Sequence, residues 1–382
     1  MENRKYKIIQ FITALSDGGA ETLVKDYAHF LNKEQFDVSV LCCHNVVHTA
    51  NYKRMKESGS RIISIYPTYN FFFRCFNKLF GRWYIPYRLS KIMEREKPDG
   101  LHIHLALLSH VNKICKQLKN QDIDLFYTCH SLPECYFDGK RKNEGRAVVN
   151  LIKNNDLQII ALHEDMAKEI NERFGIENTV VIRNGCDFSR FRTVEESKDS
   201  ARSALGIPKD AFVLGHVGRF SEEKNHDYLV DIFCEIKKEN PNAYLLMVGV
   251  GALKKQIEEK LSLLGLAESF MILSHRSDVP FVLKTMDVFV FPSFFEGLSV
   301  TLVEAQAVGL RCVVSGSVNK ANILSKTTVA VSLAEPVEKW CEVIINQEFV
   351  SDVYGNLEDY DMKNAIKGLE RLYLSKKAKK GM

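Results

Sequence analysis

The chain has 382 residues, 46% of them hydrophobic and 26% charged, as in a globular protein long enough for two domains of ordinary size. Its formal net charge of +4, from 52 basic and 48 acidic residues, does not ask for a nucleic-acid partner. The ten cysteines are scattered without a CxxC pair or metal-ligand spacing, which suits a reducing cytoplasm. No segment reaches the roughly eighteen uninterrupted apolar residues of a membrane span, and IIQFITAL near the start runs into a polar glycine loop.

Short β-rich runs alternate with helical stretches, the pattern of parallel sheets with crossover helices. In the first half, strands are predicted at Lys7–Ala14, Asp37–Cys42, Arg61–Tyr66, Gly100–Leu105, Leu125–Cys129 and Gln158–Leu162, and NGCDFSRF follows Val180–Arg183. Amphipathic stretches such as Glu21–Leu31 and Leu108–Leu118 fall between them. The weakly periodic segment Glu195–Arg202 reads as a connector, and alternation restarts at Phe212–Val217. It continues through Ala243–Val248, Phe270–Leu273, Val288–Phe291, Arg311–Val314 and Val329–Leu333. The expected fold is α/β, with two doubly wound Rossmann-like domains at 1–185 and 186–355 and a terminal helix with a basic tail at 356–382.

The residues able to carry chemistry lie after predicted strands, where open α/β sheets bind ligands. The first βα turn, Leu15-Ser16-Asp17-Gly18-Gly19-Ala20, opens a helix and reads either as an anion-binding turn or as a plain tight turn. Neither it nor VGVGALK has the spacing of a dinucleotide fingerprint. His130 follows the strand LFYTC and reads as a hydrogen-bonding group for a ligand or as a structural histidine. Asp122-Ile123-Asp124 precedes that strand and is taken as a solvated loop, not a metal motif. His102 and His104 alternate along one strand without a third ligand of convincing spacing.

In HVGRFSEEKNHDYLV, Arg219 and Lys224 bracket a loop entering a helix near Asn225, suited to holding a diphosphate or else serving as surface cations. In FPSFFEGLSVTLVEAQAVGL, Glu296 falls in a loop after a strand, and Glu304 lies about a turn into a helix over Ser299–Val308. Thr301, three residues ahead of Glu304, suggests a capping box. The region Tyr66–Lys97 differs in kind. Its phenylalanines and Trp83 are interleaved with Arg74, Lys78, Arg82, Arg88 and Lys91, with no acid before Glu94. It suits either an anionic membrane surface, through 69–91, or an insert packed into the domain, and Gly81 and Pro86 are expected to interrupt a long helix there.

Taken together, GGAETLVKDYAHFL, VIRNGCDFSRF, VGRFSEEKNHDYLVDIF, NAYLLMVGVG and the Glu–x7–Glu segment resemble family 4 glycosyltransferases of the GT-B fold, and bacterial capsule and exopolysaccharide enzymes most closely. The resemblance implies two domains facing across a cleft, with the C-terminal helix packing back toward the first. It implies a retaining transferase that moves a sugar from a nucleotide diphosphate, UDP first, to a glycan or polyprenyl-linked acceptor at the inner membrane face, without metal or other cofactor. In that reading Glu304 would bind the ribose and Glu296 would face the donor sugar. Arg219 and Lys224 would neutralise the leaving diphosphate. The N–H groups of Gly297, Leu298 and Ser299 would bind sugar or phosphate oxygens, Gly18 and Gly19 would bring the first loop to the diphosphate, and His130 would touch the sugar. Two positions depart from the pattern: Val250 stands where an acid is common, and Ser274 and His275 where a glycine is common. A nucleotide-sugar epimerase or hydrolase, or a non-catalytic partner subunit, are the rival readings.

Overall fold

The computed structural model describes residues 4–16, 18–66, 71–192, 196–274, 276, 278–346 and 355–379, so Asp17, Tyr69 and His275 lie outside the described residues. Two compact units form, one from Met1–Gly185 with Met362–Met382 and the other from Cys186–Asp361. The first holds a seven-stranded sheet of β1 (Tyr6–Ile12), β2 (Phe36–Cys42), β3 (Arg61–Ser64), β4 (Gly100–His104), β5 (Asp124–Thr128), β6 (Gln158–Ala161) and β7 (Val180–Val181), ordered β3-β2-β1-β4-β5-β6-β7. The second holds β8 (Phe212–Val217), β9 (Ala243–Val248), β10 (Phe270–Leu273), β11 (Val288–Phe291), β12 (Arg311–Ser315) and β13 (Thr328–Val331), ordered β10-β9-β8-β11-β12-β13. Every pairing in both sheets is parallel.

Helices on both faces bury strands such as β4, β6, β9 and β11 along their whole length, which is why these read as near-continuous apolar runs, while β3, β7 and β10 at the sheet edges are only partly covered. One side of the second sheet packs Leu245, Met247 and Val290 against Leu229, Phe233 and Trp340, and the other packs Phe289 and Phe291 against Leu283 and Leu302. The helix Met362–Lys379 belongs to the first unit, where Met362, Ile366, Leu369 and Tyr373 join Tyr6, Leu23, Tyr27 and Phe126 in one core. The segment 356–361, expected with that helix, belongs instead to the second unit. There the backbone N–H of Cys186 donates to Tyr360 O at 2.8 Å, and the Tyr360 hydroxyl donates to Ala321 O at 3.1 Å.

Three local expectations are corrected. The predicted connector contains a helix, Lys198–Leu205, capped by Ser197, whose side chain accepts from Ser200 N. Weak periodicity hid it because its anchor is a charge. Buried Arg202 donates to Thr285 O at 2.9 Å, to Lys209 O at 2.9 Å and to Asp287 Oδ2 at 2.6 Å, while Asp287 also accepts from Val213 N and pairs with Lys198. The stretch Leu108–Leu118 tightens into a 3-10 turn at Asn112–Ile114, where Asn150 donates to Asn112 Oδ1.

Gly81 and Pro86 do not break the aromatic–basic region, which forms one helix, Phe71–Glu96. Pro86 has no N–H for the carbonyl of Arg82 one turn back, and Lys113 Nζ satisfies that carbonyl instead at 2.6 Å. Gly81 leaves room for the Asn77 side chain, which accepts from the Tyr66 hydroxyl at 2.6 Å.

Replacing Asp287 with Ala leaves the Arg202 guanidinium buried without its counterion. The expected loss is about 3 kcal/mol of unfolding free energy, read from urea denaturation; an unshifted midpoint would contradict the anchoring role.

Candidate functional site

In the second sheet the strand order reverses between β8 and β11, so their carboxyl ends open side by side. The loop after β8 is held down by its neighbour: Gly218 N donates to Val248 O and Phe220 N to Val250 O, each at 3.0 Å. This contact explains the glycines of VGVG. A Cβ on Gly249 would stand 1.9 Å from Gly218 O, and one on Gly251 2.2 Å from Phe220 O. They admit a backbone and are not a phosphate fingerprint. The chain then makes a 3-10 turn over Glu222–Lys224, and Asn225, at φ +54, swings it into the helix His226–Glu239.

The loop after β11 is fastened to this one. Phe294 N donates to Glu223 O at 2.9 Å, and Lys224 Nζ pairs with Glu296 Oε1 at 2.5 Å. The ammonium lies 4.8 Å from the centroid of the Phe291 ring, and both side chains of the pair are largely covered (14% and 13% exposed). Two residues 72 positions apart, a cation and a carboxylate from separate motifs, are thus one unit. Arg219 is exposed, and among the described residues no partner holds its guanidinium. Glu304 is buried on the second turn of the helix Val300–Ala307.

Two expectations about this loop change. Ser299 N already donates to Asn322 Oδ1 at 2.8 Å, so it is not an open donor for sugar or phosphate. Asn322, fully buried, also donates to Gly297 O at 2.9 Å and clamps the loop from both sides. Among the described residues the N–H groups of Gly297 and Leu298 have no acceptor, so they alone of that trio stay open. Thr301 forms no capping box, because the cap is Ser299 and Thr301 and Glu304 both lie inside the helix. Asn322 was invisible in sequence, being an ordinary asparagine distant from every motif.

Two buried histidines underlie the Arg219–Lys224 loop. His216 Nδ1–H donates to Val290 O at 2.9 Å, and a Cβ on Gly218 would stand 2.8 Å from its Nε2, so Gly218 makes room for the ring. His226 stacks on Phe220 at 4.2 Å. Burial first, and then a neighbouring positive group, pushes both below the ordinary imidazole range, His226 to about 4. They stay neutral beneath the two cations.

In the first unit Gly18 and Gly19 follow β1, Gly18 as cap and Gly19 as the first residue of the helix Gly19–Phe30. Gly19 has open space where a Cβ would stand, so no intramolecular contact explains it. His130 follows β5 at the same sheet edge, with β4 between. Its Nε2 lies 2.8 Å from His104 Nδ1, and its Nδ1 is covered without a partner. His102 and His104 are buried members of a hydrogen-bonded chain, and Asp124 accepts from the Tyr6 hydroxyl at 2.6 Å at the opposite edge of the sheet. Among the described residues no cluster of three His, Cys, Asp or Glu could hold a metal ion.

Two tandem units of this doubly wound type, with charged loops at the strand-order reversal, are those of GT-B enzymes. Residues 17–190 match the pattern described as Glycosyltransferase Family 4, and residues 197–332 that described as Glycosyl transferases group 1. The putative glycosyltransferase EpsF of Bacillus subtilis is 25% identical over 98% of this chain and 97% of its own. An Escherichia coli UDP-Gal:alpha-D-GlcNAc-diphosphoundecaprenol alpha-1,3-galactosyltransferase is 27% identical over 83% of this chain and 80% of its own. Anabaena HepE, solved with UDP and glucose, superposes with a TM-score of 0.77 over 97% of this chain and all of its own, at 17% identity. The chain belongs to the family 4 glycosyltransferases.

Burial also lowers His102 and His104 well below the ordinary range and His130 to about 3. An unfolded imidazole titrates near about 6.5, so below that pH the unfolded chain binds more protons than the folded one. The stability from these neutral rings is full above that value and is lost as pH falls toward the folded values. The thermal midpoint is expected to be highest near neutral pH and to fall steadily from about pH 6.5 to about pH 4, as each group removes up to about 1.4 kcal/mol of unfolding free energy per pH unit. Calorimetry over that range checks it, and a flat profile would contradict it.

Proposed function

We propose that this chain moves a sugar from a nucleotide-diphosphate sugar, UDP-linked first, to a glycan or polyprenyl-linked acceptor in polysaccharide assembly, retaining the anomeric configuration. The observation that carries this reading is the Lys224–Glu296 pair joining the loops after β8 and β11, with exposed Arg219 on the first loop and the open N–H groups of Gly297 and Leu298 on the second. A departing diphosphate gathers negative charge, and fixed cations and aimed N–H groups stabilise it where it develops. The UDP and glucose held by HepE, and the lipid-linked acceptor of the E. coli galactosyltransferase, support the same reading.

Donor phosphate competes with Glu296 for Lys224. The carboxylate so released faces the sugar and stabilises positive character at the anomeric carbon. The bond from that carbon to the diphosphate breaks, a bond to the acceptor oxygen forms, and the acceptor proton passes to a phosphate oxygen as the nucleotide diphosphate leaves. No separate base is then needed, and Arg219 and Lys224 do the work that a metal does elsewhere. Glu304 holds the ribose, and Gly18, Gly19 and His130 are assigned to the donor as well.

The helix Phe71–Glu96 buries Ile85, Leu89, Ile92 and Met93 and turns Leu79, Phe80, Trp83 and Tyr87 outward, at 71%, 52%, 69% and 60% exposure. Lys113 and Arg82 lie 4.9 and 5.9 Å from the Trp83 ring. An aromatic stripe flanked by cations fits an anionic bilayer surface, where such a face inserts shallowly while the cations meet headgroups. We propose that this face holds the enzyme at the inner membrane surface, near a lipid-linked acceptor. Among the described residues no helix is long and apolar enough to cross a membrane.

Nucleotide release from UDP-, GDP- and ADP-sugars, with and without a membrane extract, tests the activity: extract-dependent release from one donor is expected. With that donor, Glu296→Ala should lower kcat about 100-fold or more with little change in KM, whereas Glu304→Ala should mainly raise KM. Normal kinetics in both variants would remove the site assignment. For the surface, Trp83→Ser with Phe80→Ser should lose sedimentation with phosphatidylglycerol vesicles but not secondary structure by circular dichroism; equal sedimentation of wild type with anionic and neutral vesicles would count against it.

A further inference from the structure

Beneath the first sheet's carboxyl edge runs a buried chain of five side-chain contacts. His130 Nε2 meets His104 Nδ1 at 2.8 Å, and His104 Nε2 meets Gln10 Oε1 at 2.9 Å. Gln10 Nε2 donates to the Tyr373 hydroxyl at 3.0 Å, that hydroxyl meets His102 Nδ1 at 2.6 Å, and His102 Nε2 meets Thr128 Oγ1 at 2.7 Å. Gln10, His102, His104, Thr128 and Tyr373 are all fully buried. The chain begins at the histidine assigned to the donor sugar and ends with contributions from the C-terminal helix and β5.

The proton on each ring follows from one amide. The Gln10 Oε1 atom can only accept, so His104 carries its proton on Nε2. A neutral imidazole has one N–H, so His104 Nδ1 is a lone pair and His130 must donate from Nε2. His130 Nδ1 is then a bare acceptor, and this is the buried atom without a partner. On the other arm the Tyr373 hydroxyl accepts from Gln10, gives its one proton to His102 Nδ1, and leaves His102 to donate to Thr128. Rotating the amide by half a turn would reverse every bond and leave an N–H, not a lone pair, buried and unpaired at His130. Bare N–H groups are the more costly to bury, which favours the arrangement described.

We propose that Gln10, locked by Tyr373, acts through His104 to fix the tautomer of His130, so that His130 Nδ1 accepts from a hydroxyl of the donor sugar and rejects a carboxylate there. Gln10, His104 and Tyr373 are positioning residues, and the selected class is a neutral sugar with a free hydroxyl at that position. A uronic acid carboxylate offers only acceptors, and meeting it would require inversion of the whole chain. This inference rests on the assignment of His130 to the donor.

The test is the long-range nitrogen–proton spectrum of the histidine rings in the full-length protein, with His130→Asn identifying the His130 signals. Wild type should show the Nε2–H form at His104 and His130. Tyr373→Phe keeps the ring among Tyr6, Phe36 and Phe126 but frees the amide. It should give a mixture of forms at His130 and raise the donor KM about fivefold to tenfold, with kcat within about twofold. Gln10→Leu, a second route to the same release, should do likewise. An Nδ1–H form in wild type, a tautomer unmoved by both variants, or a shifted tautomer with unchanged KM would each overturn the proposal. A merely structural tyrosine would lower the melting temperature and leave the tautomer alone. Were no sugar nucleotide turned over, the donor reading would fail, while the spectrum would still report whether Gln10 sets the ring.

Discussion

The parallel pairing of β8 with β11 is the constraint on which the site depends. A crossover connection carries the chain away from one strand and returns it to the other, so loops more than sixty residues apart in sequence emerge together from one sheet edge. Only that adjacency lets Lys224 reach Glu296 and Phe294 reach the carbonyl of Glu223. The glycines at 249 and 251 serve the same end, since any side chain there would lift the Arg219 loop off its neighbour.

The Lys224–Glu296 pair keeps two opposite charges in place under partial cover. A lone ammonium or carboxylate so covered would bear a desolvation cost with nothing to offset it. The neutral histidines beneath, His216 and His226, add aromatic support without further charge. On the first sheet the same economy recurs in a different form, with three neutral imidazoles ordered by a carboxamide and a phenol.

The alternation of elements was legible in the sequence because strands buried on both faces must be apolar throughout, and strand bounds fall within a few residues of those expected. The missed helix Lys198–Leu205 is docked by a buried arginine, and the helix Phe71–Glu96 survives its proline through a lysine forty-two positions from its start. Both depend on long-range partners that periodicity does not register. Ser299 illustrates the same limit within the site, where a loop amide that looked open is taken by a distant asparagine.

The sequence by itself determined the class of fold, the family, and the residue types at the strand ends, since these follow from apolar patterning and short motifs. The tertiary structure alone decided which of those groups are paired and which amides remain open. Those properties depend on partners brought together by the pairing of β8 with β11 and by buried Asn322, and a partner 72 positions away leaves no mark on the local sequence.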